Sequence, residues 1–491
     1  YRRVSSSCAV TYVPPTPTPE PEPEPPVPPE EPDPGLPLPP TDPDGDATPI
    51  PPASVETGMN VVGGDGMYFT SSYSQDSGGR YRYYLRSYKR QSNGVYTLVD
   101  TEDVGEVNGA SSSGQLSSPA QFSYYGSSMS YYDGLLAVGA LAYNPTSVTV
   151  SNNYTRNGVG RIDFYTVNKA TGTMIRVHTA VGEGTRTQYN LGRFLVTLKD
   201  AVVTTSDSDV NAGAVQYNMF AYSKSNLAAA PTMLGPIEGS PAILARAGDA
   251  RVAAISTAYN VSGQVRQLVS TYNVVNSGGT AYVGINFASG ASLQYSTPNN
   301  TTGTVGTLAT DTGNISYRSP APLSIQTSSD SSKLLVLATI VDRTVNTNRH
   351  FGYQLLDINP STGALSGTWS ATGWRHFGPE GATVTMMADN TLFGFGGKAL
   401  GTSTFNNGQF FYNHPQGIYR RAVNPATGVK SGQSDSGSSY TQHMNVIPAN
   451  FAAGPPLATD GSTVASFTIE SGKLSSSLSI RPQSTIMSTG F

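Results

Sequence analysis

The chain is short of charge. Only 13% of its 491 residues are Asp, Glu, Lys or Arg, and the helix formers Glu, Lys and Gln are sparse. No stretch keeps a 3.6-residue apolar period, which excludes long amphipathic helices. Cysteine is all but missing. Cys8 is the single copy, so no intrachain disulfide can form. A domain of this size can bury a sufficient core without one. There is no run of about 18 apolar residues, so no helical membrane span is expected. The five histidines (His178, His350, His376, His414 and His443) show no metal-binding spacing. The sequence holds no phosphate loop, no Ser-centred nucleophile elbow and no strong basic patch for nucleic acid. The expectation that follows is a protein that is not an enzyme.

Gly, Ser, Thr, Asn and Tyr fill the space that charge leaves; Gly alone contributes 52 residues and Tyr 28. Many short strands joined by polar turns suit that composition, because β-branched and aromatic side chains pack well on a pleated surface. The fold class is expected to be all-β.

One region departs from it. Nineteen prolines and nine acids, with no Lys or Arg, fall between Pro14 and Pro52. Proline fixes φ and removes the backbone donor, which leaves polyproline II as the regular choice. At about 3.1 Å per residue such a stalk spans on the order of 120 Å. Residues 1–57 are expected to form an N-terminal segment of Cys8 plus this Pro/Glu-rich stalk. It would contact other copies or neighbouring subunits of an assembly. Cys8 just before a Pro/Thr/Glu spacer resembles the lipidated cysteine of bacterial surface lipoproteins. An intermolecular disulfide and a plain unpaired thiol are the other two readings.

A hairpin unit then recurs. It reads Phe164-Tyr165-Thr166-Val167-Asn168-Lys169-Ala170-Thr171-Gly172, again from Leu355 to Gly363, and again from Tyr419 to Gly428. Weaker copies start at Tyr88, Tyr222, Tyr272 and Phe467. Asn and Gly accept positive φ, as tight hairpin turns require. Short apolar runs precede the hairpins, among them Leu135–Ala140, Val252–Ile255 and Leu334–Ala338. They are expected to be the buried inner strands of radially arranged four-stranded blades. The expected architecture is a seven-bladed β-propeller over 58–474. Residues 475–491 would be a tail or the strand that closes the ring. The surplus length over a minimal blade falls in long loops near 105–130, 143–160 and 294–322.

The Asn-Pro-x-Thr-Gly hairpins resemble those of lactonase-type and surface-layer propellers. Leu136-Ala137-Val138-Gly139-Ala140 with Gly158-Val159-Gly160-Arg161-Ile162-Asp163-Phe164-Tyr165 resembles the FG-GAP repeat of integrin-α-like propellers. That resemblance implies calcium in an Asp-x-Asp-x-Asn/Asp loop, and Asp207, Asp209 and Asn211 offer alternate oxygens of that kind. A plain polar turn is the competing reading, because Gly213 falls one position late and no further acid follows. Among aromatics, Tyr124, Tyr125, Tyr131 and Tyr132 crowd what reads as a long connection, and Trp369 and Trp374 flank another. Exposed aromatics stack on sugar rings and anchor protein interfaces, while strand packing is the other use of Tyr.

The functional expectation is an extracellular, cell-surface or virion-surface propeller displayed on its stalk. It would bind a glycan or protein receptor through its loops, or build a filament or appendage. The alternative is a lactonase-like hydrolytic propeller, whose acids, histidines and arginines would converge at the centre.

Overall fold

The computed structural model describes residues 56–110, 117–145, 158–183, 190–211, 214–234, 240–259, 265–276, 282–292, 307–310, 313–327, 331–342, 349–366, 375–378, 383–386, 391–396, 417–422, 457–460, 462–470 and 473–482. These residues contain strands, turns and no helix. The first sheet is β1 (Thr57–Gly64), β2 (Met67–Gln75), β3 (Tyr81–Arg90) and β4 (Tyr96–Glu106). A short hairpin, β5 (Gly109–Ala110) and β6 (Ser117–Ser118), leads to the second sheet: β7 (Tyr125–Tyr132), β8 (Leu135–Ala140), β9 (Arg161–Val167) and β10 (Met174–Val181). The third holds β11 (Leu195–Thr197), β12 (Ala201–Asn211), β13 (Ala214–Ser223) and β14 (Thr232–Leu234). The fourth holds β15 (Ser240–Arg246), β16 (Arg251–Tyr259), β17 (Val265–Asn276) and β18 (Tyr282–Ser292).

Three further groups complete the order. The fifth sheet contains β19 (Thr307–Thr310), β20 (Gly313–Thr327), β21 (Lys333–Asp342), β22 (Arg349–Ile358), β23 (Leu365–Ser366) and β24 (Arg375–Gly378). Next come β25 (Thr383–Met386), β26 (Thr391–Gly396) and β27 (Gly417–Ala422). The last strands are β28 (Leu457–Thr459), β29 (Thr463–Glu470) and β30 (Lys473–Pro482). Sequential neighbours pair antiparallel, except that in the fifth sheet β24 pairs with β22 and, in parallel, with β19. The leading strands sit side by side in a closed cycle: β1 with β7, β7 with β11, β11 with β15, β15 with β20, β20 with β25, β25 with β28, and β28 with β1. Radial sheets joined through their first strands are the β-propeller arrangement.

The sequence placed the apolar runs on the innermost strands; the structure places most of them one strand further out. Leu135–Ala140 is β8, every residue of it buried, while the leading strand β7 reads Tyr-Gly-Ser-Ser-Met-Ser-Tyr-Tyr. A second strand is covered on both faces by neighbouring sheets, which favours an unbroken apolar run.

Two of the repeated turns are alike in detail. The Asn168 carboxamide oxygen accepts from the amides of Ala170 (2.8 Å) and Thr171 (3.2 Å), and Gly172 at φ +83° donates to the Asn168 carbonyl. Asn359 does the same for Ser361 and Thr362, with Gly363 at φ +79°. The Phe467–Gly472 copy is not equivalent. Its first four residues end β29, which pairs with β30, so it stands between the second and third strands of its sheet. No fourth strand follows β30 among the described residues; instead Ser475 pairs with Thr57 at the start of β1.

That junction is chemically dense. The Tyr68 hydroxyl donates to the Thr463 carbonyl (2.8 Å) and accepts from the Asp460 amide (3.1 Å). Tyr96 hydrogen-bonds the Asp460 carboxylate. Val61, Tyr68, Tyr88 and Tyr96 share one core with Ala458, Ala465, Phe467, Leu478 and Ile480. Just before β1, Glu56 makes a bidentate pair with Arg86 (2.6 and 2.7 Å), both side chains almost fully buried. Ser72 donates to the same carboxylate. Glu56 fell within the expected 1–57 stalk, yet its carboxylate belongs to the first sheet. Compact units divide between Asp46 and Ala47.

Removing one partner of a buried ion pair strands the other charge. Glu56→Ala is therefore expected to cost about 3 kcal/mol of stability in denaturant unfolding. Deleting residues 1–46 should leave the unfolding midpoint in place, whereas deleting 1–57 should lower it.

Candidate ligand-binding site

Antiparallel meanders divide the propeller into two ends. One end carries the tight first-to-second and third-to-fourth turns. The other carries the second-to-third connections and every passage between sheets. Of the segments expected as long loops, 105–130 contains β5, β6 and the start of β7, and 294–322 contains β19 and much of β20. Loops held by a rigid scaffold are where recognition residues concentrate.

The described part of this end contains an aromatic tier. β2 delivers Tyr73 and β3 delivers Tyr81 and Tyr83, on either side of the Asp76–Arg80 turn. The Asp76 carboxylate shapes that turn by accepting from the amides of Gly78 (2.9 Å) and Arg80 (2.8 Å). The passage from β6 to β7 brings in Phe122 and Tyr124. It is fastened by Tyr81 N–H to the Pro119 carbonyl (2.8 Å) and by Ser123 N–H to the Tyr83 hydroxyl (3.0 Å). Phe122 is the hub. Its ring lies 4.9 Å from both Tyr73 and Tyr81, and 4.8 Å from Tyr124, each edge to face. Edge-to-face pairs add about 0.5–1.5 kcal/mol beyond burial. Tyr83 and Tyr125, 5.7 Å apart, continue the tier into the core.

Tyr124 is the exposed member, with 45% of its surface open. It also holds φ +58°, a left-handed conformation that costs a non-glycine residue roughly 1–2 kcal/mol. Two residues on, Gly126 at φ +82° packs so closely on Ser71 that a Cβ there would meet the Ser71 Cβ at 2.3 Å. Together they turn the chain into β7 and leave Tyr124 outside. The charges around the tier are paired: Arg80 with Glu106, and Arg82 with Asp103. The Arg82 guanidinium holds the Asp103 carboxyl below its ordinary value.

Beneath the tier lies a polar network. The Tyr125 hydroxyl donates to Asp163 (3.0 Å) and meets the Tyr165 hydroxyl (3.0 Å). Arg161 and Thr179 also donate to Asp163. Burial first, then the Asp163 charge, pushes the Tyr125 hydroxyl well up. Burial pushes Tyr83 up to about 12.

The four tyrosines predicted for a loop divide sharply. Tyr125 and Tyr131 are buried on β7, not exposed on a connection, because the strand begins at Tyr125 and its alternation turns both inward. Tyr131 donates to Asp65 (2.9 Å) and packs on Phe69. Tyr132 is half-buried at the opposite end of β7, under the Arg246 guanidinium at 3.9 Å. Of the four, Tyr124 is the exposed member of the tier and Tyr125 its extension into the core. Asp207, Asp209 and Asn211 lie on β12, paired opposite Tyr217, Val215 and Ala214. A calcium loop and a plain polar turn were the two readings there; these three residues are strand. Among the described residues no group of three His, Cys, Asp or Glu is placed to hold a metal. Cys8, Trp369 and Trp374 lie outside the described residues. Tyr73 and Phe122 were missed. The signal for them was a polar, glycine-containing turn bracketed by Tyr73 and Tyr81.

No family model and no curated protein matches the sequence. Similar solved structures are propellers. The β-propeller domain of the trilobed protease from Pyrococcus furiosus is 7% identical, with 87% of this chain and 98% of that chain covered at a TM-score of 0.36. A Hadza microbial sialidase is 10% identical, with 88% and 66% covered at 0.36. A 6-phosphogluconolactonase-like protein from Bacteroides uniformis is 13% identical, with 72% and 91% covered at 0.31. The chain is an all-β propeller. The expectation that it is not an enzyme is corrected: the similar propellers are mostly named as enzymes, so missing motifs in one sequence give no ground for excluding catalysis. Likeness at this level speaks to the fold and assigns no chemistry.

A tyrosine buried with a raised pKa stays protonated when folded but ionises near pH 10 when unfolded, so the unfolded chain releases the proton first. The stability contributed by Tyr83 and Tyr125 is then whole below pH 10 and lost as pH rises toward 12 and beyond. Tyrosinate absorbance should show Tyr83 and Tyr125 ionising only as the chain unfolds.

Proposed function

We propose that the protein is a seven-bladed propeller that captures carbohydrate on the aromatic tier around Phe122. The carrying observation is Tyr124, an exposed aromatic kept in a left-handed conformation by a loop that is otherwise well hydrogen-bonded. Strain of that kind persists where the surroundings impose it, and it concentrates at ligand sites. A tyrosine ring offers an apolar face and a polar tip. A sugar presents C–H groups on its faces and hydroxyls at its edges, and the two match. The closed cycle of leading strands supports the count of seven.

The same reading places the protein outside the cell, with the proline-rich segment displaying the propeller and residues 1–57 meeting neighbouring subunits. The composition of that segment supports this. Hydrolysis of the captured ligand, in the manner of a lactonase-like propeller, would use the same end, where the connections gather.

Titration of the full chain with a panel of glycans, lactones and esters tests the reading, with binding and product release both recorded. Tyr124→Ala is expected to weaken glycan binding about tenfold, a loss of about 1.4 kcal/mol. Tyr124→Gly should lose binding equally while unfolding at the same temperature or higher, because glycine relieves the strained φ. A chain that binds no glycan, or binds equally well without Tyr124, would end the proposal.

A further inference from the structure

Tyr132 was expected among the binding residues, yet it lies at the opposite end of β7 from the tier. Alternation along β7 turns Tyr131 toward the first sheet, where it meets Asp65 and Phe69, and Tyr132 to the other face. The third sheet leaves room there, because β11 is only three residues long. Tyr132 therefore reaches past it to the fourth sheet. Its hydroxyl donates to the Asp249 carboxylate, and the Arg246 guanidinium lies over its ring, 3.9 Å from the centroid. Arg246 ends β15 and Tyr132 ends β7. Both are leading strands, so this corner sits on the turn-end rim of the channel they enclose.

Arg246 stands apart from the arginines of the first two sheets. Arg80, Arg82, Arg86 and Arg161 each pair with a carboxylate. Among the described residues none accepts a hydrogen bond from the Arg246 side chain and none forms an ion pair with it; the Tyr132 ring is its partner. The ring covers one face of the guanidinium and leaves its N–H donors at a half-buried rim. The acids close by are engaged elsewhere: Asp249 with the Tyr132 hydroxyl, and Asp133 with Lys169. The ring itself is pinned at both ends, because Lys224 donates to the carbonyls of Tyr132 (3.2 Å) and Asp133 (3.3 Å) while Asp249 holds the hydroxyl. The turn that carries Lys199 docks on the same corner. Its amide donates to the Asp249 carbonyl (2.9 Å), and its exposed side chain adds an ammonium to the rim.

The structure assigns to this corner an oxyanion site, in which the open edge of Arg246 takes the carboxylate or phosphate group of a small molecule. A guanidinium presents parallel N–H donors that match two oxygens of such a group. Stacking on a fixed ring holds those donors in one plane before the ligand arrives, so little is lost in ordering them. Lys199 supplies a second positive charge on the same rim. This site is separate from the aromatic tier, at the other end of the strands, and neither depends on the other.

Thermal unfolding of the full chain in chloride, inorganic phosphate and succinate at matched ionic strength tests this. An anion that binds the folded state alone raises the midpoint. Phosphate or succinate is expected to raise the wild-type midpoint above its value in chloride, and Arg246→Met to weaken that binding about tenfold. Arg246→Lys keeps the charge without the planar donors and should lose binding as well. Dicarbonyl labelling of arginines in the wild-type chain, followed by peptide mass spectrometry, needs no variant to fold. Arg246 should label more slowly in the anion that binds, while Arg80 and Arg82 label alike in all three salts. Protection by phosphate alone or by succinate alone supports the site and tells which oxyanion it takes. Equal midpoint gains in the wild type and Arg246→Met overturn it, as does Arg246 labelling that neither anion slows.

Discussion

The fold depends on a contact between residues some 400 positions apart. A propeller gains its full core only when its last sheet docks on its first, and here that junction mixes apolar and polar chemistry. Phe467, Leu478 and Ile480 pack with Val61 and Tyr68, while Tyr68, Tyr96, Asp460 and Thr463 exchange hydrogen bonds across the seam. Apolar packing alone tolerates sliding. Hydroxyls that must meet particular carbonyls and carboxylates fix the register, because an unmet buried polar group costs about 1–3 kcal/mol. Thr57 opposite Ser475 adds the backbone link. Glu56 then holds the entering chain to Arg86 and Ser72, so that β1 starts at one defined residue.

Closure also decides where a ligand can be met. Once the leading strands are ringed, each meander has a turn end and a connection end, and loop length can grow only where register does not suffer. The turn end is accordingly tight and stitched. Lys224 donates to the carbonyls of Tyr132, Asp133 and Leu198 across two sheets, and burial lowers its pKa. The connection end holds the aromatic tier.

Much of this was legible in the sequence where the chemistry is local. The Asn168 and Asn359 turns announced themselves because side-chain acceptor, positive-φ glycine and hairpin are all encoded within six residues. What depends on distant neighbours was not. Leu135–Ala140 is apolar for lack of solvent on both faces, and one sequence does not tell whether that strand is first or second in its sheet. Tyr124 and Tyr125 look alike in sequence, yet the onset of β7 between them sends one to solvent and the other to Asp163. Glu56 looked like one more acid of the proline-rich segment, because its partners Arg86 and Ser72 reach it only through the sheet. The absence of catalytic motifs was overread: sites assembled from several sheets leave no spacing along the chain.

The tier and its foundation explain why tyrosine rather than phenylalanine fills this corner. Phe122 needs no partner and serves as the hub. Tyr83 and Tyr125 each carry a hydroxyl into the core, where Ser123 and Asp163 meet it. Those bonds orient the rings, and the rings orient Phe122. Asp163 would be costly to bury alone, but Arg161, Thr179 and Tyr125 all donate to it. The exposed ring of Tyr124 therefore rests on a stack whose lowest member is an ion pair, and rigidity reaches it from below. A ligand docking there would find its platform already ordered, and would not spend binding energy on immobilising it.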